Sequence, residues 1–307
     1  MKPATTTGAG DWLLLLVPGV IWGASFLFIA EALEAVGPDG ITFARILVGF
    51  ATLALLPAAR CPVPRAAWRG IALLSIVWLA FPLSMFPHAE QRVSSALTGM
   101  LNGANPLFTA IVAAVLAGRL PPRSIAVGLG VGLAGTVLVA LPAMGEGRNS
   151  AIGVGLILVA LLSYGVALNV MGPLQQEHGA LPIIWRAQGL AILLTAPLGL
   201  PELVAARWAL GPLLAILALG ALGTGVAYAV IATASGRLGA TRASATTFLI
   251  PPVALLLGVW LRQEQVALVS VVGGAVCVGG AWLMRRASAG RVPAGTAAPS
   301  GTDARSA

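Results

Sequence analysis

Charged side chains are scarce in this chain of 307 residues: Asp, Glu, Lys and Arg make up 9% of it, and apolar residues 58%. A soluble protein has about a quarter charged residues, because its surface must be hydrated. With a mean hydropathy of +0.94, most of this surface must face lipid instead. The composition therefore excludes an ordinary soluble enzyme and predicts an integral membrane protein.

Cysteines and catalytic motifs are also few. The two cysteines, Cys61 and Cys277, cannot build a disulfide framework, and no Cys or His spacing fits a metal site. The sequence has no HExxH motif, no GxSxG motif and no pair of carboxylates inside one apolar run. We therefore predict that the protein is not an enzyme and uses no metal or cofactor.

Ten apolar runs remain when the sequence is divided at charges and at proline or glycine clusters. A helix needs about 20 apolar residues to cross the hydrocarbon layer. The sequence therefore predicts an all-α polytopic membrane protein with ten transmembrane helices. The predicted spans are 12–30, 40–58, 70–88, 93–117, 122–141, 151–171, 181–200, 210–234, 243–261 and 266–284.

Lys and Arg are distributed unequally between the two sides of the membrane that these spans define. Twelve lie on one side together with both termini, and four lie on the other side, namely Arg92, Arg148, Arg207 and Arg262. Basic residues are enriched on the cytoplasmic side, so we expect a protein of the inner (plasma) membrane with a cytoplasmic N-terminus, 1–11, and a disordered cytoplasmic tail, 285–307. The net charge of +8 forms no contiguous basic face, so nucleic acid is not an expected partner.

The two halves of the sequence carry matching residues. Arg45 in ITFARILVGFATLALLP and Arg186 in LPIIWRAQGLAILLTAP lie six or seven residues into the second span of each half. A proline also lies thirteen residues before the charged residue that closes a later span, as Pro106 before Arg119 and Pro251 before Glu264. These matches indicate an internal duplication.

Each copy has five spans, an odd number, so the second copy must enter the membrane from the opposite face. We therefore predict two inverted five-helix repeats, 12–141 and 151–284, joined by a linker at 142–150. Inverted repeats occur in many secondary transporters, with a substrate site near the midplane between them.

The segments VIWGASFLF and TFARILVGFATL, with the proline pattern that ends in LRQE, resemble the EamA-type members of the drug/metabolite transporter superfamily. The resemblance covers residues 12–284. It implies a secondary transporter that exports or exchanges an amino acid, a related metabolite or a drug by alternating access. The family usually has a Glu at the end of the fourth span, where this chain has Arg119.

Polar and aromatic residues lie well inside the spans, where lipid-facing helices do not need them. Amides and hydroxyls in hydrocarbon need partners, so these side chains should point inward, either towards a substrate or towards neighbouring helices. The predicted substrate-binding residues are Trp22, Ser25, Trp78, Asn102, Asn105, Tyr164, Asn169, Tyr228 and Thr247.

Arg45 and Arg186 are the two formal charges inside the spans. A cation near the helix centre costs about 2.5 to 3.5 kcal/mol on insertion scales, and such charges usually face protein or water. Two alternatives remain for each: an anchor on backbone carbonyls, or a gating or direct contact with an anionic substrate. Pro106 and Pro251 are predicted helix kinks that help the helix groups to rock.

Several alternatives remain open at this point. The chain could instead be a membrane-embedded enzyme subunit or a non-transporting scaffold. No carboxylate lies at the centre of a span, so facilitated export is as consistent as proton antiport, with His88 and Glu90 as candidate protonation sites. The GxxxG pairs Gly99/Gly103 and Gly128/Gly132 predict close helix packing, within the chain or in a homodimer.

Overall fold

The computed structural model describes residues 9–145, 148–238 and 244–289, and every regular element in these residues is helical. The first half contains α1 (Ala9–Ala32), α2 (Pro38–Ala54), α3 (Trp68–Leu74), α4 (Phe81–Glu90), α5 (Ser95–Asn102), α6 (Asn105–Ala117) and α7 (Arg123–Gly145). The second half contains α8 (Arg148–His178), α9 (Ala180–Val204), α10 (Leu210–Ala218), α11 (Ala227–Leu238), α12 (Ile250–Arg262) and α13 (Leu268–Ala289).

Two π-helical segments make longer helices continuous. Ser75–Ala80 joins α3 to α4, and Leu219–Val226 joins α10 to α11. Such wide turns inside α-helices often occur at functional sites, because they shift the backbone hydrogen bonds. Shorter 3₁₀ turns lie at Pro57–Arg60, Arg65–Ala67 and Ser244–Leu249.

Seven helices in the described residues are long and apolar enough to cross a membrane, and an eighth span results if α5 and α6, bent by 42°, count as one. The predictions for spans 40–58 and 243–261 correspond to shorter helices, Pro38–Ala54 and Thr246–Arg262. The prediction of an all-helical, multi-pass membrane protein is confirmed, whereas the count of ten spans stays a prediction. The seven are Gly10–Ala32, Arg65–Glu90, Arg123–Gly145, Ser150–His178, Ala180–Val204, Leu210–Ser235 and Leu268–Arg286.

Helix occupies parts of the segments that the sequence assigns to connections. α7 ends at Gly145 and α8 begins at Arg148, within the predicted linker 142–150. α13 continues to Ala289, into the predicted tail 285–307. The rest of that tail and residues 1–8 of the predicted N-terminal segment lie outside the described residues.

The helices α7 and α13 meet along a seam of small residues. Both place them at their sixth, tenth and thirteenth positions, which are Gly128, Gly132, Gly135 and Gly273, Cys277, Gly280. A Cβ added to Gly135 would lie 2.3 Å from the Cys277 nitrogen, and one added to Gly280 would lie 2.3 Å from the Gly132 nitrogen. The Gly128/Gly132 pair therefore packs within the chain, with the two backbones nearly touching.

The contacts along this seam run in opposite directions on the two helices. Gly128 lies against Met284, whereas Gly135 lies against Cys277 and Gly273. A higher residue number on α7 therefore meets a lower number on α13, so the two helices are antiparallel.

The helices α2 and α9 are antiparallel as well. Gly199 of α9 lies against Phe43 of α2, and Gly189 lies against Phe50. The N-terminus of α2 is therefore beside the C-terminal end of α9, where the Glu202 carboxylate accepts the backbone N–H of Gly40 at 2.7 Å.

The helices α6 and α12 begin and end alike. Each has thirteen residues with a proline in its first turn, Pro106 or Pro251. Proline suits this position because its missing N–H has no intrahelical partner there. Each helix is followed by a left-handed residue, Gly118 with φ 59° and Gln263 with φ 55°.

The bend between α5 and α6 packs against the start of α12. Gly103 lies against Pro251, and Gly99 lies against Ala254. The pairing again runs antiparallel, and it uses the second predicted GxxxG pair for packing within the chain. The predicted kink proline Pro251 therefore lies against the bend between α5 and α6, just before the other one, Pro106.

Candidate functional site

Three aromatic residues from distant parts of the sequence meet inside the helix bundle. The Tyr228 ring on α11 lies 5.8 Å from the Trp22 ring on α1 and 4.8 Å from the Trp78 ring, centroid to centroid. Trp78 belongs to the first π-helical segment. Tyr228 and Trp78 are 8% and 6% exposed, so the three rings form an apolar wall inside the protein.

Arg45 on α2 lies beside this wall and is 5% exposed. Its Nε donates a hydrogen bond to the Thr224 hydroxyl oxygen at 3.2 Å. No carboxylate lies within ion-pair distance of its guanidinium in the part of the chain that the structure describes. Arg45 therefore presents an unmatched positive charge to the interior. Burying a cation in this way is costly, which makes a functional role for the charge worth testing.

The second π-helical segment, Leu219–Val226, supplies the polar partners around Arg45. The Thr224 hydroxyl, which accepts from Arg45, donates to the Leu219 carbonyl at 3.2 Å. Trp22 Nε1 donates to the Gly223 carbonyl at 3.0 Å. Ser25 borders the same turn, because a Cβ on Gly223 would lie 3.0 Å from its hydroxyl oxygen.

Gln188 on α9 also reaches this turn, because its Nε2 donates to the Thr224 carbonyl at 2.8 Å. Its Oε1 is buried and has no hydrogen-bond partner in the described residues. The Oδ1 atoms of Asn102 and Asn105, at the bend between α5 and α6, are likewise buried and have no hydrogen-bond partner in the described residues. Three amide oxygens are therefore available to accept hydrogen bonds.

Three further predicted site residues have other neighbours. The Tyr164 ring lies 5.9 Å from Phe86, and its hydroxyl is close enough to interact electrostatically with Arg45. Asn169 Nδ2 donates to the Thr109 carbonyl at 3.1 Å and to the Gly165 carbonyl at 2.8 Å, so this amide ties α8 to α6. Thr247 lies in the 3₁₀ turn Ser244–Leu249.

Arg186 makes contacts unlike those of Arg45. It is half-buried, and its Nη1 donates to the Pro182 carbonyl at 3.1 Å and to the Ala59 carbonyl at 3.4 Å. Its guanidinium carbon lies 5.6 Å from the Trp185 ring, which stacks on Phe50. These are the contacts expected of an anchor on backbone carbonyls.

Two cavities lie towards opposite ends of α1. One, of about 340 Å³, is lined by Leu14 of α1 and by apolar residues at the end of α2 and on α11. The other, of about 470 Å³, is lined by Ala30 of α1, by Leu33 and Glu34 just after it, and by polar residues at the ends of α4, α5 and α12. Leu14 and Ala30 are separated by about 24 Å along the helix, and Trp22 and Ser25 lie between them.

Neither cavity is lined by a predicted substrate-binding residue. The Arg45 cluster, defined here as Arg45, Thr224, Trp22 and Ser25, therefore lies between the levels of the two cavities along α1. No group of three His, Cys, Asp or Glu side chains in the described residues could hold a metal ion.

The chain belongs to the EamA-like transporter family, whose profile matches it twice, at residues 10–141 and 151–286. It is 28% identical to a protein of Streptantibioticus cattleyicolor named a probable terminal-alkyne amino-acid exporter, over 91% of this chain and 94% of that protein. It is 26% identical to YdfC, an uncharacterised transporter of Bacillus subtilis, over 85% of this chain and 86% of that protein.

A solved crystal structure shares the fold. It is 20% identical in sequence and matches with a TM-score of 0.58, over 90% of this chain and 98% of that one. The family and the multi-pass helical fold together define a membrane transporter. They establish metabolite transport as the class of activity and leave the substrate to be argued from the site.

Proposed function

We propose that this protein exports or exchanges a small carboxylate-bearing metabolite, such as an amino acid, across the inner membrane by alternating access. Ten spans in two inverted repeats form the carrier, with both termini in the cytoplasm. The observation that carries the proposal is the buried Arg45 guanidinium, which has no carboxylate within ion-pair distance in the described residues and lies beside the wall of Trp22, Trp78 and Tyr228.

The inverted arrangement is supported by two pairs of equivalent helices. The pairs α2/α9 and α7/α13 hold matching places in the two halves, and each pair is antiparallel in its contacts. Two copies in the same orientation would place equivalent helices parallel to one another. Antiparallel partners are expected when one copy is turned over in the membrane.

The site offers complementary groups for an amino acid. Arg45 is a fixed donor for a carboxylate, and charge-assisted hydrogen bonds of this kind are about twice as strong as neutral ones. The unpartnered amide oxygen of Gln188, which also contacts the 219–226 turn, can accept from an ammonium group. We propose that Asn102 and Asn105, at the bend between α5 and α6, add acceptors to the same site. The aromatic wall gives a side chain an apolar surface, and it can also stabilise a nearby cation.

The two cavities support alternating access. They lie towards different ends of α1 with the Arg45 cluster between them, and Arg45 itself is buried. Opening of one cavity towards the cluster at a time would expose the same site first to one compartment and then to the other. The relative from Streptantibioticus cattleyicolor, by its name, handles amino acids with a terminal alkyne, which agrees with a carboxylate-bearing substrate.

A thermal-shift comparison tests the proposal. The purified protein is heated with L-propargylglycine or L-phenylalanine, and in parallel with the carboxamide of each, because a ligand that binds the native state raises the apparent stability. We expect stabilisation by at least one free acid and none by its carboxamide. Arg45→Gln should abolish the shift, and Arg186→Gln should retain it.

The same free acid should then exchange across proteoliposomes that contain the wild-type protein. Equal stabilisation by acid and carboxamide would overturn the role of Arg45. Binding without any flux would overturn the transport of that compound.

A further inference from the structure

The cavity of about 470 Å³ lies where the C-terminal ends of α1, α4 and α12 meet the start of α5. Its lining is mostly charged or polar, with Glu34, Glu90, Gln91, Ser94, Ser95, Arg262 and Glu264. An ion-pair contact on its wall joins α12 to the C-terminal end of α1 and is called the α1–α12 contact: Arg262 Nη1 lies 3.3 Å from Glu31 Oε2 and 3.1 Å from Oε1 of Glu34, two residues after α1.

A second contact joins Glu264, two residues after α12, to the first turn of α5. Glu264 Oε1 accepts from the Ser95 hydroxyl at 2.7 Å and from the Ser95 backbone N–H at 3.0 Å, and Oε2 accepts from the Ala96 N–H at 2.8 Å. These N–H groups begin a helix and have no partner within it. The negative carboxylate also suits the positive end of the helix dipole.

Glu90, the last residue of α4, differs from the other carboxylates of this cavity. Both of its carboxylate oxygens are buried, and neither has a hydrogen-bond partner in the described residues. Glu31 and Glu34 are paired with Arg262, and Glu264 accepts three hydrogen bonds. In the described residues, the Glu90 carboxylate oxygens are therefore buried from water without a hydrogen bond or an ion pair to stabilise a negative charge.

None of the charged groups around Glu90 forms an ion pair with it in the described residues. Glu264 and Arg262 face it from the α12 side and Arg45 from α2, and Arg262 is already shared between Glu31 and Glu34 at the end of α1. On its own helix, His88 lies 3.9 Å from Asp39 of α2. Arg92, just beyond α4, donates to the His88 carbonyl. On the facing part of α8, residues 150–157 include no ionisable side chain.

Burial of an ionised carboxylate without partners is so costly that the group takes up a proton instead. We propose that Glu90 is a proton-binding site of the carrier and holds a proton while the α1–α12 contact is closed. When this contact opens and water reaches the carboxyl group, its O–H bond breaks, the proton passes to water, and the carboxylate remains. Reclosure requires a proton from the same water.

The link from this site to transport rests on the proposed function. A carrier that must lose a proton to open and gain one to close has a flux that depends on the pH of the compartment whose water reaches Glu90. Proton binding itself needs no substrate. It can therefore be tested on the purified full-length protein alone.

The first test compares the melting temperature of the protein in lipid nanodiscs between pH 5 and pH 8 for wild type and Glu90→Gln. Glutamine mimics the neutral carboxyl group and should fold normally. A proton bound to the folded state stabilises it, and raising the pH removes this stabilisation by mass action. We expect the wild type to lose several degrees relative to Glu90→Gln as the pH rises.

Glu34→Gln is the matched control, because it removes a carboxylate of the same cavity that is already ion-paired. Glu34→Gln should lower the melting temperature slightly at every pH. Its melting temperature should fall with rising pH as steeply as that of the wild type, and more steeply than that of Glu90→Gln. Parallel curves for wild type and Glu90→Gln would overturn the proton site. This result would not depend on whether any amino acid binds at Arg45.

The second test measures opening directly. In a Cys61→Ser background, Ala30→Cys places a thiol on the cavity wall, and a membrane-impermeant maleimide reports its accessibility. The labelling rate should rise more steeply with pH when residue 90 is Glu than when it is Gln, and the Gln variant corrects for the titration of the thiol itself. Equal slopes would overturn the link between the proton and the α1–α12 contact.

Discussion

The seam between α7 and α13 and the pair Arg45/Arg186 are both products of the duplication, but they have diverged to different extents. Along the seam, small residues occupy the same three positions on both helices and make reciprocal contacts. Arg45 is buried against a threonine hydroxyl, whereas Arg186 is half-buried on backbone carbonyls. The backbone packing has stayed alike while the two charges have acquired different environments.

This difference follows from what each region must do. Two helix backbones in close contact exclude any side chain larger than a few atoms at every crossing point, on both partners alike. In the proposed carrier, a substrate site shared by the two halves needs only one fixed cation for one carboxylate. On that proposal, the second arginine is free to act as an anchor on backbone carbonyls.

The largest expected effect is on the symmetric seam. Gly135→Ala and Gly280→Ala would each place a Cβ 2.3 Å from a backbone nitrogen. Because backbone cannot yield as a side chain does, we expect each to reduce the free energy of unfolding by about 3 kcal/mol, at the upper end for overpacking. Melting temperature and membrane abundance measure this loss.

The controls for this prediction lie on the same helices. A Cβ added to Gly130 or Gly279 meets nothing within 4 Å, so these alanine variants should be neutral or slightly stabilising. Unequal losses for Gly135→Ala and Gly280→Ala, with one near zero, would contradict the symmetry of the seam.

The second effect concerns the asymmetric pair. Arg45→Gln should reduce exchange of the bound amino acid at least tenfold, about 1.4 kcal/mol, while membrane abundance stays normal. Its melting temperature without substrate should equal or exceed that of the wild type, because the variant no longer buries an unmatched cation. Arg186→Gln should lower abundance and flux in parallel, since it removes an anchor. The opposite pattern would reverse the two roles.

The sequence predicts several of these positions, for identifiable reasons. Charges inside apolar runs identify Arg45 and Arg186, and aromatic residues deep in the spans identify Trp22, Trp78 and Tyr228. Each of these signals is local in sequence. Glycine spacing likewise predicts the close packing of Gly128 and Gly132, because that chemistry depends on one helix face.

Other parts of the site depend on which helices meet, and no local pattern reports this. Thr224 and Gln188 are polar residues in apolar runs, but their positions beside Arg45 follow from the π-helical segment at 219–226 and from the pairing of α2 with α9. Glu264 closes a span in the sequence, and only the antiparallel contact of α5 with α12 makes it a cap. Glu90 lies at a span end that should be exposed, and the fold buries it.

A third effect tests the difference between Glu264 and its sequence counterpart, Arg119. Glu264→Ala removes the acceptor for two N–H groups and one hydroxyl at the start of α5. We expect a loss of about 1 to 2 kcal/mol in stability, the usual cost of a lost helix cap. The exposed Arg119→Ala should change stability by less than about 0.5 kcal/mol. Equal changes in melting temperature would contradict the assignment of Glu264 as a cap between the halves.

The smallest effect concerns Glu202, which caps α2 from the end of α9. Glu202→Ala removes a single hydrogen bond, from the Gly40 N–H at 2.7 Å, and should cost about 0.5 to 1 kcal/mol. In the register that aligns Arg45 with Arg186, its counterpart is the exposed Cys61, so Cys61→Ser should leave the melting temperature unchanged. If Glu202→Ala were as neutral as Cys61→Ser, the N-terminus of α2 would be satisfied by water, and Glu264 alone would cap a first-half helix from the second half.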